Sequence, residues 1–191
     1  DIETMNEIRA ALTEVDPSIL IYGEGWTGGD SPLPDKEKSL KKNMRRLEGI
    51  AAFSDDIRDA LKGHVFTDED PGFVSGAKDL KESMKFGIVA SLDHPDVNYE
   101  EVKYSTSPWA KAPNQAITYV EAHDNLTLWD KLLISNPEAS EEERMKMHRM
   151  ANAAVLTSQG IPFIHAGSEF FRTKDGDHNS YNASDEVNQI H

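Results

Sequence analysis

The chain contains 191 residues, enough for one domain, or part of one, with a buried hydrophobic core. Its 34 acidic and 20 basic residues give a net charge of -14, which argues against a nucleic-acid-binding surface and favours an uncharged or cationic ligand. The absence of cysteine excludes disulfides, thiolate zinc sites and cysteine nucleophiles, and no apolar run is long enough to span a membrane. This composition leaves the compartment open between cytosol, periplasm and medium. Because residue 1 is an aspartate within a helical pattern, we expect the chain to be a piece of a longer protein.

The first third of the chain is predicted to alternate helices with strands. The predicted helices cover residues 2–15 and 55–62, and the predicted strands cover residues 19–22 and 50–53. Asp16-Pro17 ends the first helix, and Ser54 can cap the second. Both strands are apolar and are therefore predicted to be buried, whereas the charged segment 36–47 is predicted to be exposed and partly helical.

The remainder of the chain continues this alternation after a less regular stretch. The predicted helices lie near residues 80–88, 126–133 and 140–158, and the predicted buried strands cover residues 116–120 and 161–165. Ser140 and Glu143 form a capping-box pattern at the start of the last helix. The polar tail from residue 173 to residue 191 is predicted to be loop.

The order of these elements predicts an α/β fold. Strands that alternate with helices are joined by right-handed crossovers and lie parallel to one another. We count four strands, whereas a closed (β/α)₈ barrel needs eight strands and about 250 residues.

Polar clusters follow the predicted strands at their carboxyl ends. Glu24 and Trp26 come directly after the first strand, and His123-Asp124-Asn125 follows the strand over residues 116–120. Parallel α/β enzymes place their catalytic groups at this end of the strands. Two carboxyl groups and an indole at such positions indicate carbohydrate chemistry.

Three sequence blocks carry a family resemblance, namely residues 22–26 (Tyr-Gly-Glu-Gly-Trp), 119–125 (Tyr-Val-Glu-Ala-His-Asp-Asn) and 160–169 (Gly-Ile-Pro-Phe-Ile-His-Ala-Gly-Ser-Glu). In this order they resemble blocks of the α-amylase superfamily of glycoside hydrolases. Within that superfamily, Arg172-Thr173 and the Asn-Ser-Tyr-Asn sequence at 179–182 resemble the type I pullulanases, which are α-1,6 debranching enzymes. The resemblance covers nearly the whole chain, and one departure is Gly25, where many pullulanases have proline.

The resemblance implies that residues 1–191 form the C-terminal half of a TIM (β/α)₈ barrel, one partial catalytic domain. The implied reaction is the retaining hydrolysis of α-1,6-glucosidic bonds in pullulan, glycogen or starch dextrins. The nucleophile of that reaction would precede Asp1, so we predict that the isolated chain is inactive. The implied partner is an α-glucan oligosaccharide or polysaccharide, and no cofactor is required.

The resemblance also assigns roles to individual residues. Glu24 corresponds to the general acid/base, and Asp124 corresponds to the acid that stabilises the oxocarbenium-like transition state. His123 would donate hydrogen bonds to the sugar, and Trp26 would stack on a pyranose ring. The remaining implied substrate-binding residues are Asn125, Asn179 and Tyr181.

Other interpretations remain open. The chain could come from an isoamylase, a neopullulanase or a glucanotransferase, or be a catalytically inactive carbohydrate-binding module. A metal-dependent hydrolase built on His123, Asp124 and His165 is a further alternative, although no closely spaced histidine pair appears. We interpret His165 as a core histidine and Trp109 as a packing residue.

Two further expectations concern calcium and assembly. Asp175 and Asp177 fall at the first and third positions of an EF-hand-like pattern, but the required glycine is replaced by Ser180, so we expect weak calcium binding at most. Four strands cut from a barrel would expose two sheet edges. We therefore predict either homo-oligomerisation through these edges or partial disorder around residues 64–110.

Overall fold

A computed structural model describes residues 1–190 and contains a four-stranded sheet with the strand order β1-β2-β3-β4. The strands are β1 (Ile21–Gly23), β2 (Ile50–Phe53), β3 (Ala116–Thr118) and β4 (Ile161–Pro162). All three neighbouring pairs are parallel, with Ile21 opposite Ile50, Ala52 opposite Ala116 and Ile117 opposite Ile161. The predicted α/β architecture is confirmed, and sequential parallel order is the arrangement found in the wall of a barrel.

The helices connect the strands and lie close to their predicted positions. They are α1 (Ile2–Val15), α2 (Asp55–Lys62), α3 (Lys81–Ile88), α4 (Leu128–Ser135), α5 (Glu141–Thr157) and α6 (Asp185–Asn188). The capping box is present, because Ser140 N donates to Glu143 Oε2 at 2.8 Å and Glu143 N donates to Ser140 Oγ at 3.3 Å. The prediction of a continuous loop after residue 173 is wrong at α6, a four-residue helix too short to show helical periodicity.

The charged segment 36–47 is less exposed than predicted. It forms the 3₁₀ turn Lys41–Arg46, and the side chains of Met44 and Leu47 are each only 1 % exposed. Lys41 pairs with Asp55 and, at 3.1 Å, with Asp56. The prediction of an exposed excursion is therefore wrong for its apolar positions, which the surrounding charges concealed in the sequence.

Two hydrophobic clusters hold the helices in place, and the first of them also attaches helices to the sheet. The first joins α1, β2 and α3 through residues such as Ile2, Ile50, Ala52 and Phe86. The second joins α2, α4 and α5 through residues such as Ile57, Leu61, Leu132 and Val155. Trp109 belongs to the first cluster and donates Nε1–H to Asp56 at 3.1 Å, which confirms its interpretation as a packing residue.

Strands β1 and β4 form the two edges of the sheet. Leu20 and Tyr22 are 63 % and 51 % exposed, and Ile164 is 39 % exposed. The prediction that these two strands are buried is therefore wrong for residues 1–190, because neither outer edge has a partner strand there. Self-association through the open edges stays a prediction. Within the same residues, no helix combines the length and apolar character needed to cross a bilayer.

Candidate active site

A cleft of about 440 Å³ is formed by residues that follow β1, β2 and β3. Six of the seven side chains singled out in the sequence line it, namely Glu24, Trp26, His123, Asp124, Asn125 and Asn179. The seventh, Tyr181, is 71 % exposed and does not line the cleft. The strand ends therefore bring the two candidate carboxylates to one site, although they are 100 positions apart in the chain.

The turn that presents Glu24 and Trp26 depends on Gly25. This residue has a φ of 77°, in the left-handed region, and its carbonyl accepts a hydrogen bond from Lys41 N at 2.6 Å. A Cβ atom added at Gly25 would lie 3.0 Å from the Cβ of Ala52. Proline, which many pullulanases have here, cannot adopt this φ because its ring holds φ near about −65°. Glycine at position 25 therefore gives the backbone next to Glu24 a conformation that proline could not adopt.

Replacing Gly25 by alanine is expected to lower the free energy of unfolding by about 1–2 kcal/mol, the cost of a left-handed residue other than glycine. The close approach to Ala52 adds to that cost. Thermal unfolding followed by circular dichroism measures the effect. Gly28→Ala is the matched control, because no atom lies within 4 Å of a Cβ added there. Equal stability of the two variants would contradict the proposed role of the Gly25 backbone.

The loop between β3 and α4 carries the second half of the motif. His123 Nε2 lies 3.4 Å from Asp124 Oδ2, and the two side chains are 68 % and 52 % exposed. Asn125 has a φ of 62°, and its backbone N–H donates to the carbonyl of His178 at 3.0 Å. The loop ends at Thr127, whose hydroxyl caps α4. His123 and Asp124 are thus held on a firm backbone with their side chains open to a ligand.

Sequence reasoning missed Arg58, which lines the cleft from the first turn of α2. Its guanidinium donates to the hydroxyl of Tyr119 at 2.9 Å and to Asp59 at 2.6 Å. Burial is the largest effect and opposes its charge, but the hydrogen bond to Asp59 and the charges of Tyr119, Asp59 and Asp55 together outweigh burial and raise the pKa of Arg58. Burial also raises the pKa of Tyr119 to about 12, so this hydroxyl is neutral near pH 7.

An aromatic row forms the wall next to Arg58 and was also missed. The ring centroids of Tyr22 and Phe53 are 5.9 Å apart, and those of Phe53 and Tyr119 are 4.9 Å apart. Phe53, Tyr119 and the 81 % exposed Phe66 line the cleft. The signal that could have found the row is the alternation of Tyr22 and Phe53 with small residues at strand ends. Apolar rings beside carboxylates make a surface suited to the faces and hydroxyls of sugars.

His165 does not line the cleft that holds the His123-Asp124 pair. Its side chain is 13 % exposed, and its Nδ1 lies 3.9 Å from Glu121 Oε2, in keeping with the interpretation as a core histidine. Within residues 1–190, no three His, Asp or Glu side chains converge in a way that would hold a metal ion. Calcium binding near Asp175 and Asp177 stays a prediction.

Comparisons with known proteins show which proteins this chain resembles. No protein-family model matches the chain. The pullulanase of Bacillus subtilis strain 168 is 38 % identical over 190 residues, which cover 100 % of this chain and 25 % of that protein. The crystal structure of Paenibacillus barengoltzii pullulanase with maltohexaose and α-cyclodextrin matches with 48 % identity and a TM-score of 0.89, over 100 % of this chain and 28 % of that one. The type I pullulanase of Bacillus subtilis in complex with maltose matches with 38 % identity and a TM-score of 0.91, over 100 % of this chain and 25 % of that one.

These matches extend over the whole of the described fold, including both strand-end motifs. The chain spans only about a quarter of the length of the relatives. By sequence and by fold, the chain is therefore homologous to a segment that makes up about a quarter of a pullulanase.

Proposed function

We propose that this chain forms part of the substrate cleft of a debranching glycoside hydrolase that cleaves α-1,6-glucosidic bonds in pullulan, glycogen or starch dextrins with retention. The observation that carries the proposal is the convergence of Glu24 and Asp124 on one aromatic-lined cleft. Glycosidases act with a pair of carboxyl groups that flank the scissile bond. Isoamylase, neopullulanase and glucanotransferase functions are less well supported, because each relative compared above is a pullulanase.

In this proposal Glu24 protonates the oxygen of the leaving sugar and then activates the water that completes hydrolysis. Asp124 stabilises the positive charge that develops at the anomeric carbon, and His123 beside it donates a hydrogen bond to a sugar hydroxyl. Trp26, whose indole is 41 % exposed, offers a stacking surface. Asn125 and Asn179 supply amide groups at the cleft wall.

The retaining mechanism also requires a carboxylate nucleophile about 5–5.5 Å from the acid. Asp55 lines the same cleft, but its carboxylate is engaged in an ion pair with Lys41 and is not free to attack a sugar. We therefore propose that the nucleophile is supplied by sequence outside residues 1–191, as the family resemblance implies. The proposed reaction thus belongs to a longer protein, and no cofactor is required for it.

The ligand class follows from the chemistry of the cleft and from the relatives. The Paenibacillus barengoltzii enzyme has been crystallised with maltohexaose and α-cyclodextrin and, as mutants, with maltotetraose and with maltotriose. All of these are α-glucans. We propose that linear malto-oligosaccharides bind in the cleft of this chain as well.

Binding of maltotriose to the 191-residue chain tests this proposal through the fluorescence of Trp26. We expect a saturable change in tryptophan emission, and Trp26→Ala is expected to weaken binding by at least about fivefold, the equivalent of about 1 kcal/mol for a buried aromatic contact. Phe170→Ala is the matched control, because Phe170 is 45 % exposed and does not line the cleft. Tyr181→Ala tests whether Tyr181 binds sugar despite its position.

Isothermal titration calorimetry measures the maltotriose affinity of Trp26→Ala, which lacks the tryptophan whose emission reports binding. Unchanged affinity in Trp26→Ala would remove the stacking role. A wild-type chain that binds no malto-oligosaccharide at millimolar concentration would contradict the assignment of this cleft.

A further inference from the structure

A buried lysine lies under the cleft, and none of the roles above uses it. Lys62 is the last residue of α2, is 1 % exposed and lines the cleft from below. Taking an ammonium group out of water is costly unless it is hydrogen-bonded and electrostatically compensated. A methionine would fill a similar volume without that cost, so the charge itself calls for an explanation.

The hydrogen bond made by Lys62 leads directly to the His123-Asp124 loop. Lys62 Nζ donates to the carbonyl oxygen of Leu126 at 3.2 Å. Leu126 follows Asn125, so this bond holds the carboxyl end of the turn that presents Asp124 to the cleft. It joins α2 to the loop between β3 and α4.

Glu121 secures the same loop at its base. This buried residue follows β3, and its Oε2 accepts a hydrogen bond from Leu128 N, the first residue of α4, at 2.6 Å. Lys62 and Glu121 thus fix two points of one short loop, and the bond from Asn125 N to the His178 carbonyl fixes a third. With its backbone held at these points, the loop has little freedom to move His123 and Asp124.

The charges around Lys62 act in both directions. Burial is the largest effect and lowers the pKa of Lys62 to about 8. Glu121, at the end of β3, and Asp59, on α2, favour the ammonium form, whereas Arg58, on α2, and Lys131, on α4, oppose it. Lys62 is therefore mostly charged at pH 7 and loses its proton as the pH rises through about 8.

Lys131 shows what a purely structural buried lysine looks like in the same fold. Its Nζ donates to three carbonyl groups, those of His64, Thr67 and Asp68, and so closes a loop by itself. Among the described residues 1–190, Lys62 has a single carbonyl partner, and that partner lies in the loop with the candidate catalytic aspartate.

From this geometry we infer that Lys62 is a positioning residue: its buried ammonium group holds the Leu126 carbonyl and thereby keeps His123 and Asp124 in their ligand-binding arrangement. The part of this inference that concerns sugar rests on the proposed function. The part that concerns the loop stands on the hydrogen bonds alone.

The test compares Lys62→Met, which removes the donor, with Lys62→Arg, which keeps one. Charge-assisted hydrogen bonds contribute enough that we expect Lys62→Met to lower the hydrogen-exchange protection of the Asn125 and Leu128 amides, both of which are hydrogen-bonded, roughly tenfold at pH 7. We expect it to weaken maltotriose binding by a similar factor. Lys62→Arg is expected to retain much of the amide protection and much of the maltotriose affinity of the wild-type chain. Leu61→Val is the matched control, because Leu61 is fully buried on the same helix and its truncation lowers stability without removing the donor.

A pH series separates positioning from packing. Between pH 6.5 and pH 9.5 the wild-type chain is expected to approach the behaviour of Lys62→Met, since deprotonation above about pH 8 weakens the bond to Leu126. Leu61→Val is expected to keep the wild-type pH dependence. If Lys62→Met does not fold, the pH series on the wild type and Lys62→Arg decides the question.

Unchanged amide protection in Lys62→Met, or a change that is the same at every pH and matches that of Leu61→Val, would overturn the inference. A wild-type chain that binds no maltotriose while Lys62→Met still loses protection would refute the proposed function and leave the positioning role standing.

Discussion

Glu24→Gln is expected to lower kcat on pullulan by about 10²–10⁴-fold in a full-length pullulanase that contains this segment, the range for loss of a general acid. Glutamine keeps the shape of the side chain but has no acidic proton to give to the leaving oxygen. An α-1,6-linked sugar is a poor leaving group, so its departure depends strongly on that proton. A reducing-sugar assay at saturating pullulan measures the change.

The leaving group and a second substitution act as controls for this result. A maltosyl fluoride needs less protonation, so the step that forms the glycosyl-enzyme should be partly spared in Glu24→Gln. Glu37→Gln makes the same chemical change in the exposed turn Asp35–Glu37, away from the cleft, and is expected to keep wild-type activity. Near-normal pullulan hydrolysis by Glu24→Gln would mean that Glu24 is not the acid.

The 191-residue chain by itself is expected to show no measurable hydrolysis of pullulan. It holds the proposed acid and the proposed transition-state stabiliser in one cleft, but Asp55, the other carboxylate in that cleft beside the aromatic wall, is paired with Lys41. Without a free nucleophile the glycosyl-enzyme cannot form. Open sheet edges further reduce the accuracy with which the remaining groups are held, and misplacement by about 1 Å can cost on the order of a hundredfold.

The measurement is a reducing-sugar assay on the purified chain, with the Glu24→Gln chain as the control for contaminating enzymes. Equal background in the two preparations is the expected result. Turnover that the substitution abolishes would show a complete active site within these residues, and the proposed location of the nucleophile would then be wrong.

Local signals predicted the secondary structure well wherever they were strong. Helix α5 was predicted to within about a residue at each end because a capping box starts it and Gly160, with a φ of 102°, follows its end. Strand β2 was predicted at its observed bounds because it is a short apolar run between a glycine and a helix cap. Strand β4 was predicted to be too long: beyond Pro162 its apolar residues continue, but regular pairing with β3 ends.

The residues of the site also divide into those found from the sequence and those recognised only in the structure. Glu24, His123 and Asp124 were found from the sequence because each stands in a contiguous motif directly after a predicted strand. Arg58 and Lys62 carry no such signal, since a charged residue on an amphipathic helix is most often solvent-exposed. Only the packing of α2 against α4 and against Val120, which follows β3, turns them towards the cleft.

The sequence by itself determined the order of the elements, the parallel α/β class and the residues at the strand ends, because periodicity, caps and contiguous motifs are local properties of the chain. Tertiary structure alone decided which strand-end groups share the cleft, that Tyr181 lies outside it, and that the edge strands are exposed. It also decided the protonation of Lys62: burial lowers its pKa to about 8, and Glu121, a residue 59 positions away in the chain, opposes that decrease. Contacts between segments that are remote in sequence, and the burial of side chains that comes with them, arise only when the chain is folded. These contacts place a carboxylate next to a reacting atom.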